Sequence, residues 1–241
     1  MSEPVGRTAG EAMRRLLGRI RAEGLAPGAR LGAERDLART LGVSRTTVRQ
    51  ALAELERVGI VRRIPGRGGG TFVGHQKVDR DMSRIVGVPA LLRAQGLTAG
   101  TRVLSTALVP ADEPTRAALR LPADAYVQDV VRIRLADGIP FSLERARRPA
   151  GRFPGLLELP LGGSLYELIE AHYGIRPAEA VEHIEVVEAS PDESALLDVL
   201  PGAALLSITR TAYAADGEPF EHSHDLFRAD RTTITVRTSM T

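Results

Sequence analysis

The sequence predicts an α+β chain of two domains, a basic helical head followed by an acidic body of antiparallel strands and helices. Three observations predict it. The formal charge of +2 is unevenly spread: residues 1–78 hold 15 Lys and Arg against 7 Asp and Glu, and residues 79–241 hold 17 against 23. In the head, two helical patterns are separated only by Gly42 and Val43. In the body, two β-type runs fold back through the tripeptide ADG, at 136–138 and 215–217, which marks hairpins between antiparallel strands. The polar stretch GHQKVDRDMSR suggests boundaries: a head over 1–74, a linker over 75–84 and a body over 85–241.

The head begins with a capping box, Thr8 and Glu11, ahead of a helix with Met13, Leu16, Leu17 and Ile20 on one face. LAPGARL (25–31) reads as a turn, and AERDLARTL (33–41) as a second helix closed by Gly42. Ser44 then stands where an N-cap belongs, Val43 and Val48 form a hydrophobic staple, and Val48, Ala51, Leu52 and Leu55 make the buried stripe of a third helix. Its outward side opens with Arg45, Thr46, Thr47, Arg49 and Gln50. Threonine is a poor helix former, so a face built only for solubility would use Glu and Lys. Short hydroxyls and arginines suit a surface that approaches phosphates and base edges. Two helices joined by so short a turn form a helix-turn-helix. The β-type runs Ile60–Ile64 and Thr71–Val73 flank a glycine-rich tip carrying Gly66 and Arg67, a wing that can reach the DNA backbone or minor groove. The tip is no nucleotide phosphate loop, because it lacks the GK[ST] ending and a strand–loop–helix context.

In the body, strands are expected over 101–110, 125–149, 180–190 and 204–227. Helices lie between them: Ser164 and Glu167 form a capping box before one, and Ser190, Pro191 and Glu193 before another. Arg132 and Arg134 are two apart on one strand, so they share a sheet face, where they repel unless a carboxylate or an anionic ligand joins them. Glu144 and Glu221 are candidate neighbours; a plain salt-bridge ladder is the alternative. Ser164 and Tyr166 open a helix whose free amides favour an anion, although a capping role alone explains the serine. His222 and His224 share a strand face and could bind metal with His183, but the spacing fixes no third ligand, and no metal is expected.

Composition narrows the function classes. The absence of cysteine excludes disulfides, thiolate nucleophiles and cysteine-ligated metal. No apolar run reaches the roughly 18 residues a membrane helix needs, and the N-terminus lacks an apolar signal core, so a cytoplasmic protein is expected. The sole lysine is Lys77, in the linker, which argues against a Schiff-base enzyme.

The series ARLGAERDLARTLGVSRTTVRQALAELERVGIVRRIPGRGGGTFV resembles the winged helix-turn-helix of the GntR family of bacterial transcription regulators, over about residues 8–74. The resemblance implies DNA contacts at Arg35, Ser44, Arg45, Thr46, Thr47, Arg49 and Gly66, beside the Arg67 contact read from the wing tip itself. The chain departs at Gly32-Ala33, where the family usually has Pro-Ser. The stretches VRIRLADGIPFSLE, GSLYELIEAHYG, EVVEASPDESALLDVLPGAALLSITRTAY and DGEPFEHSHDLFRADR resemble the UTRA effector domain of the HutC subfamily, over about 85–237. That resemblance implies a chorismate-lyase-like antiparallel sheet with helices, dimerisation, and a small-molecule effector held by Arg132, Arg134, Glu144, Ser164, Tyr166, Glu221 and, in place of the family's frequent tyrosine, Phe227.

The expectation is therefore a DNA-binding regulator, a repressor rather than an enzyme. As a homodimer it would bind a palindromic operator in double-stranded DNA under the control of a small anionic metabolite, with a phosphosugar favoured and no cofactor. A ligand-independent regulator and a lyase-like enzyme are the alternatives, the latter resting on fold analogy alone.

Overall fold

The computed structural model describes residues 9–26, 28–57, 59–64, 66, 69–74 and 77–239. The chain forms two compact units, Met1–Lys77 and Val78–Thr241.

The first unit holds α1 (Ala9–Ala22), β1 (Arg30–Gly32), α2 (Glu34–Leu41), α3 (Arg45–Arg57), β2 (Val61–Ile64) and β3 (Gly70–Val73). Its core joins Leu16 of α1, Leu37 and Leu41 of α2, and Val48, Leu52 and Leu55 of α3, the stripe read from the spacing. Gly42 adopts the left-handed region (φ 64°) and returns its N–H to the carbonyls of Ala38 and Arg39, which ends α2 and reverses the chain within one turn. Ser44 then caps α3, its Oγ accepting from the Thr47 N–H at 3.0 Å. Thr8 of the expected capping box lies outside the described residues. At the other expected boundary, Ala33 gives α2 no side-chain cap.

The expected β2–β3 hairpin is present, but it belongs to a three-stranded sheet of order β1-β3-β2. Residues 25–31, read as a turn, therefore end in a strand: Arg30 pairs with Phe72 and Gly32 with Thr71. A three-residue strand containing one apolar side chain, Leu31, carries no alternation to betray it.

The second unit continues with β4 (Val78–Asp81), α4 (Val88–Ala94), β5 (Ala99–Pro110), α5 (Glu113–Leu119), β6 (Tyr126–Ala136), β7 (Ile139–Pro149), α6 (Leu165–Tyr173), β8 (Pro177–Glu188), α7 (Pro191–Leu197), β9 (Ala204–Ala214), β10 (Pro219–Arg228) and β11 (Thr232–Thr235). Six strands make an antiparallel sheet of order β5-β6-β7-β10-β9-β8. Both expected hairpins are in it. Asp137 and Gly138, at φ 53° and 79°, make the tight turn of the first, the left-handed pair that matches strand twist.

Two apolar clusters share one face of this sheet. Val130, Ala212 and Phe220 pack under Leu165 and Ile169 of α6. Ala136, Ile208 and Phe227 pack under Val88 and Leu92 of α4. Leu143, Leu205 and Leu226 meet Leu197 of α7 in a separate cluster.

Two expectations need correction here. The linker expected over 75–84 is not a free connector, because Val78–Asp81 forms β4, parallel to β11 from Val78↔Thr232 to Asp81↔Thr235. Val78 and Arg80 are buried, and a partner some 150 residues away leaves no local sign. The Ser164 capping box is half formed: Ser164 Oγ accepts from the Glu167 N–H at 3.3 Å, but Glu167 Oε1 accepts from Arg93 Nη2 at 3.2 Å instead of returning to the cap. The box at Ser190 and Glu193 is complete.

Candidate functional site

On the first unit, α3 presents its opening turn outward. Arg45 and Thr46 are exposed. The hydroxyls of Ser44 and Thr47 meet at 2.8 Å, fixing both rotamers. Arg49 is exposed yet held: Glu34 Oε2 accepts from its Nε at 3.3 Å and its Nη2 at 3.1 Å. Arg35 is largely free, with Asp36 Oδ1 at 3.8 Å from its Nε. Gly66 is exposed at the wing (φ 95°), and Arg67 lies outside the described residues. The outward set is thus a run of donors opposite the apolar stripe, suited to an anionic polymer.

In the second unit, a cleft opens between the two apolar clusters. Arg132 and Arg134 project into it from β6, only 4% and 3% exposed. A single carboxylate joins them, Glu144 Oε2 accepting from Arg132 Nη2 at 3.0 Å and from Arg134 Nε at 2.8 Å. Register explains the pairing, since Arg132 lies directly across from Glu144 in the β6–β7 ladder. Both guanidiniums also donate to the carbonyl of Gly163, at 3.3 and 3.0 Å, which anchors the loop leading into Ser164 and α6. Burial lowers the Arg132 pKa to about 10, against the pull of Glu144. Burial pushes the Glu144 carboxyl up, but Arg134 and Arg132 outweigh it and hold it below the usual carboxylate range.

Glu221 does not join Arg132 and Arg134, as the sequence allowed. Its Oε2 accepts from Arg148 Nη2, and its Oε1 from the Tyr166 hydroxyl at 2.7 Å. Tyr166 accepts in turn from Arg210 Nη1 at 3.0 Å. Burial, then the Glu221 charge, raises the Tyr166 phenol well above its ordinary value, so it stays a neutral donor. Arg210 and Arg80 both hold Glu182, Nε and Nη2 donating at 2.6 and 2.9 Å.

Phe227 is the position the structure corrects. It is fully buried among Phe141, Val88 and Leu92, its ring edge-on to Phe141 at 5.4 Å, and it does not line the cleft. The Arg80 guanidinium lies over it, 4.6 Å from the ring centroid. Without a phenolic oxygen the ring is a packing element. The histidines are also occupied: His224 Nε2 meets Ser207 Oγ at 3.0 Å and His222 Nδ1 meets Thr211 Oγ1 at 3.3 Å. Among the described residues no three potential ligands gather to hold a metal.

Arg80, Arg148, Arg210 and Asp225 enter the cleft without having been singled out from the sequence. For two of them a signal exists. Glu144–Arg148 and Glu221–Asp225 are four apart on their strands, so once either glutamate faces inward its companion must follow.

Residues 94–233 match the UTRA domain family, and residues 8–73 match the bacterial regulatory proteins of the gntR family. The chain is 32% identical to the HTH-type transcriptional repressor NagR of Bacillus subtilis (strain 168), an alignment covering 93% of this chain and 91% of that protein. It is 34% identical to the HTH-type transcriptional repressor PhnF of Mycolicibacterium smegmatis, over 89% of this chain and 86% of that protein. The crystal structure of PhnF from Mycobacterium smegmatis superposes with a TM-score of 0.73 at 31% identity, covering 98% of this chain and all of that one. No helix among the described residues is long and apolar enough to cross a membrane.

Proposed function

The chain belongs to the GntR family, as a transcriptional repressor with a helix-turn-helix head and a UTRA effector domain rather than an enzyme, and from that premise we propose that it is a homodimer whose hold on a palindromic operator is set by a small anionic metabolite. One observation carries the anionic part. Two buried guanidiniums, Arg132 and Arg134, share the single carboxylate of Glu144 beside the N-terminus of α6, which leaves positive charge without a partner. Ser164, at that N-terminus, and Tyr166, in the first turn of α6, line the same cleft and supply hydroxyls. A phosphosugar suits the set: phosphate on the arginines and Ser164, and hydroxyls on Glu144, Tyr166 and Glu221.

On DNA, Arg45 and Arg49 read guanine edges, while Arg35, Ser44, Thr46 and Thr47 position the helix on phosphates and the wing at Gly66 and Arg67 follows the backbone. Two-fold protein symmetry matches two-fold operator symmetry. Edge strand β8 supports a dimer, with Val181, Ile184 and Val186 exposed along its length. The metabolite acts by binding one dimer arrangement better than the other; equal affinity for both would shift nothing.

The test is a melting screen of phosphosugars, phosphonates and carboxylates, followed by operator binding with each hit. Arg132→Ala should abolish the ligand's effect on DNA binding while the protein still binds the operator. A screen in which no anion changes either melting or operator affinity would favour a ligand-independent regulator.

A further inference from the structure

Arg148 is the most deeply buried guanidinium of the cleft, 1% exposed against 3% for Arg134 and 4% for Arg132. Its Nη2 donates to Glu221, while its Nε and Nη1 have no hydrogen-bond partner, and neither does Arg132 Nε. Buried donors are normally satisfied, and leaving charged ones unpaired costs the folded state without return unless something else binds there. Glu221 cannot answer the whole demand, because its other oxygen is taken by Tyr166.

The charge count points the same way. Arg80, Arg132, Arg134, Arg148 and Arg210 line the cleft, facing the carboxylates of Glu144, Glu221 and Asp225. Asp225 sits opposite Glu144 in the β7–β10 ladder. Burial, then the nearby Glu144 and Glu221 charges, drives its carboxyl well above the usual range and outweighs the opposing pull of Arg80 and the Ser223 hydroxyl, so it contributes little negative charge. With Glu182, which holds Arg80 and Arg210, counted in, the five guanidiniums still exceed the three carboxylates of Glu144, Glu182 and Glu221. Along β7, Arg148 and the Glu144 that joins Arg132 and Arg134 are four residues apart, roughly 13 Å between backbone positions. Both guanidiniums line the same cleft as Arg148.

We propose that Arg148 forms a second anion-binding subsite of the cleft and that the effector carries two charged ends, a phosphate or phosphonate at Ser164 and Arg134 and a carboxylate on Arg148. This rests on the reading that an anion occupies the cleft at all. A ligand with a neutral tail would leave the Arg148 donors unpaired, and inorganic phosphate would fill only one end.

Matched probes test it: ω-phosphonocarboxylates of two to five carbons against alkylphosphonates of equal length, by calorimetric titration of the full-length protein. The carboxylate should tighten binding by about tenfold or more at the length that spans the cleft. Arg148→Gln should bring the ratio of the two affinities close to one. Because that variant strands Glu221, the paired substitution Arg148→Met with Glu221→Gln serves as a second, charge-balanced check and should show the same collapse. A ratio near one at every length in the unsubstituted protein, or a ratio that survives both variants, overturns the second subsite. If neither probe series nor inorganic phosphate changes the melting temperature, the anionic reading of the cleft itself fails and this inference falls with it.

Discussion

Glu34, the first residue of α2, holds Arg49 of α3 through a single oxygen, Oε2 accepting from both Nε and Nη2. The pair sets where Arg49 points before any DNA arrives. The other oxygen of Glu34 lies 3.8 Å from Arg63 Nη1 on β2, so one carboxylate restrains two basic side chains.

Glu34→Gln should therefore release Arg49 at little cost to the fold, since exposed ion pairs are worth about 0–1 kcal/mol. Affinity for non-specific duplex DNA should rise, and the logarithmic dependence on salt should steepen by about one unit if Arg49 gains a phosphate. Anisotropy titrations across a salt series measure both. An unchanged slope would mean that the released Arg49 meets no phosphate in the non-specific complex.

Glu144→Ala should destabilise the effector domain. It leaves Arg132 and Arg134 buried together without their shared carboxylate. Removing one partner from a buried ion network costs about 3–5 kcal/mol, or roughly 6–20 °C in melting temperature for a domain of this size. Inorganic phosphate should restore part of the loss, up to about 2.7 kcal/mol at a hundred times its dissociation constant. Calorimetric melting with and without phosphate checks this; a variant that melts like the parent would show the pair to be dispensable.

Asp225 gives a pH dependence with a definite sign. Its folded pKa is raised well above 3.8 by burial and then by Glu144, so the folded chain keeps a proton that the unfolded chain has released. Stability contributed by this group is greatest below about pH 4 and declines as pH rises toward the folded value. Asp225→Asn should be more stable than the parent near neutral pH, with the gap closing as pH falls toward about 4. Urea midpoints over that range decide it, and a gap independent of pH would count against the protonated carboxyl.

Gly87 lies just ahead of α4, and a Cβ there would come within 3.0 Å of Ser164 Oγ. Gly87→Ala should push that hydroxyl aside, weaken its cap on α6 by about 1 kcal/mol, and reduce phosphate affinity more than it reduces stability. Titration with phosphate beside a melting curve separates the two effects. Equal affinity in variant and parent would place Ser164 outside the anion site.

The legible parts of this chain are those whose signals are local. The stop at Gly42, the cap at Ser44 and the stripe from Val48 to Leu55 lie within 14 residues, and the turn at Asp137-Gly138 fixes the neighbouring strands. β4 was hidden because its partner is distant and its inward residue, Arg80, looks like surface. The run Glu144-Arg145-Ala146-Arg147-Arg148 shows why half the cleft was missed. Arg145 and Arg147 face outward to Asp129, while Glu144 and Arg148 face inward. Composition cannot say which until register is known, and a slip of one residue would exchange the sets. Phe227 differs for the opposite reason: family position puts it in the effector's reach, but it packs in the core beneath Arg80 and under α4.

The parallel pairing of β4 with β11 has a mechanical consequence. β4 begins at Val78, the residue after the head unit ends, and two residues later it carries Arg80 into the cleft. A tug on the chain directed along β4 loads its backbone bonds to β11 together, in shear, rather than peeling them one at a time.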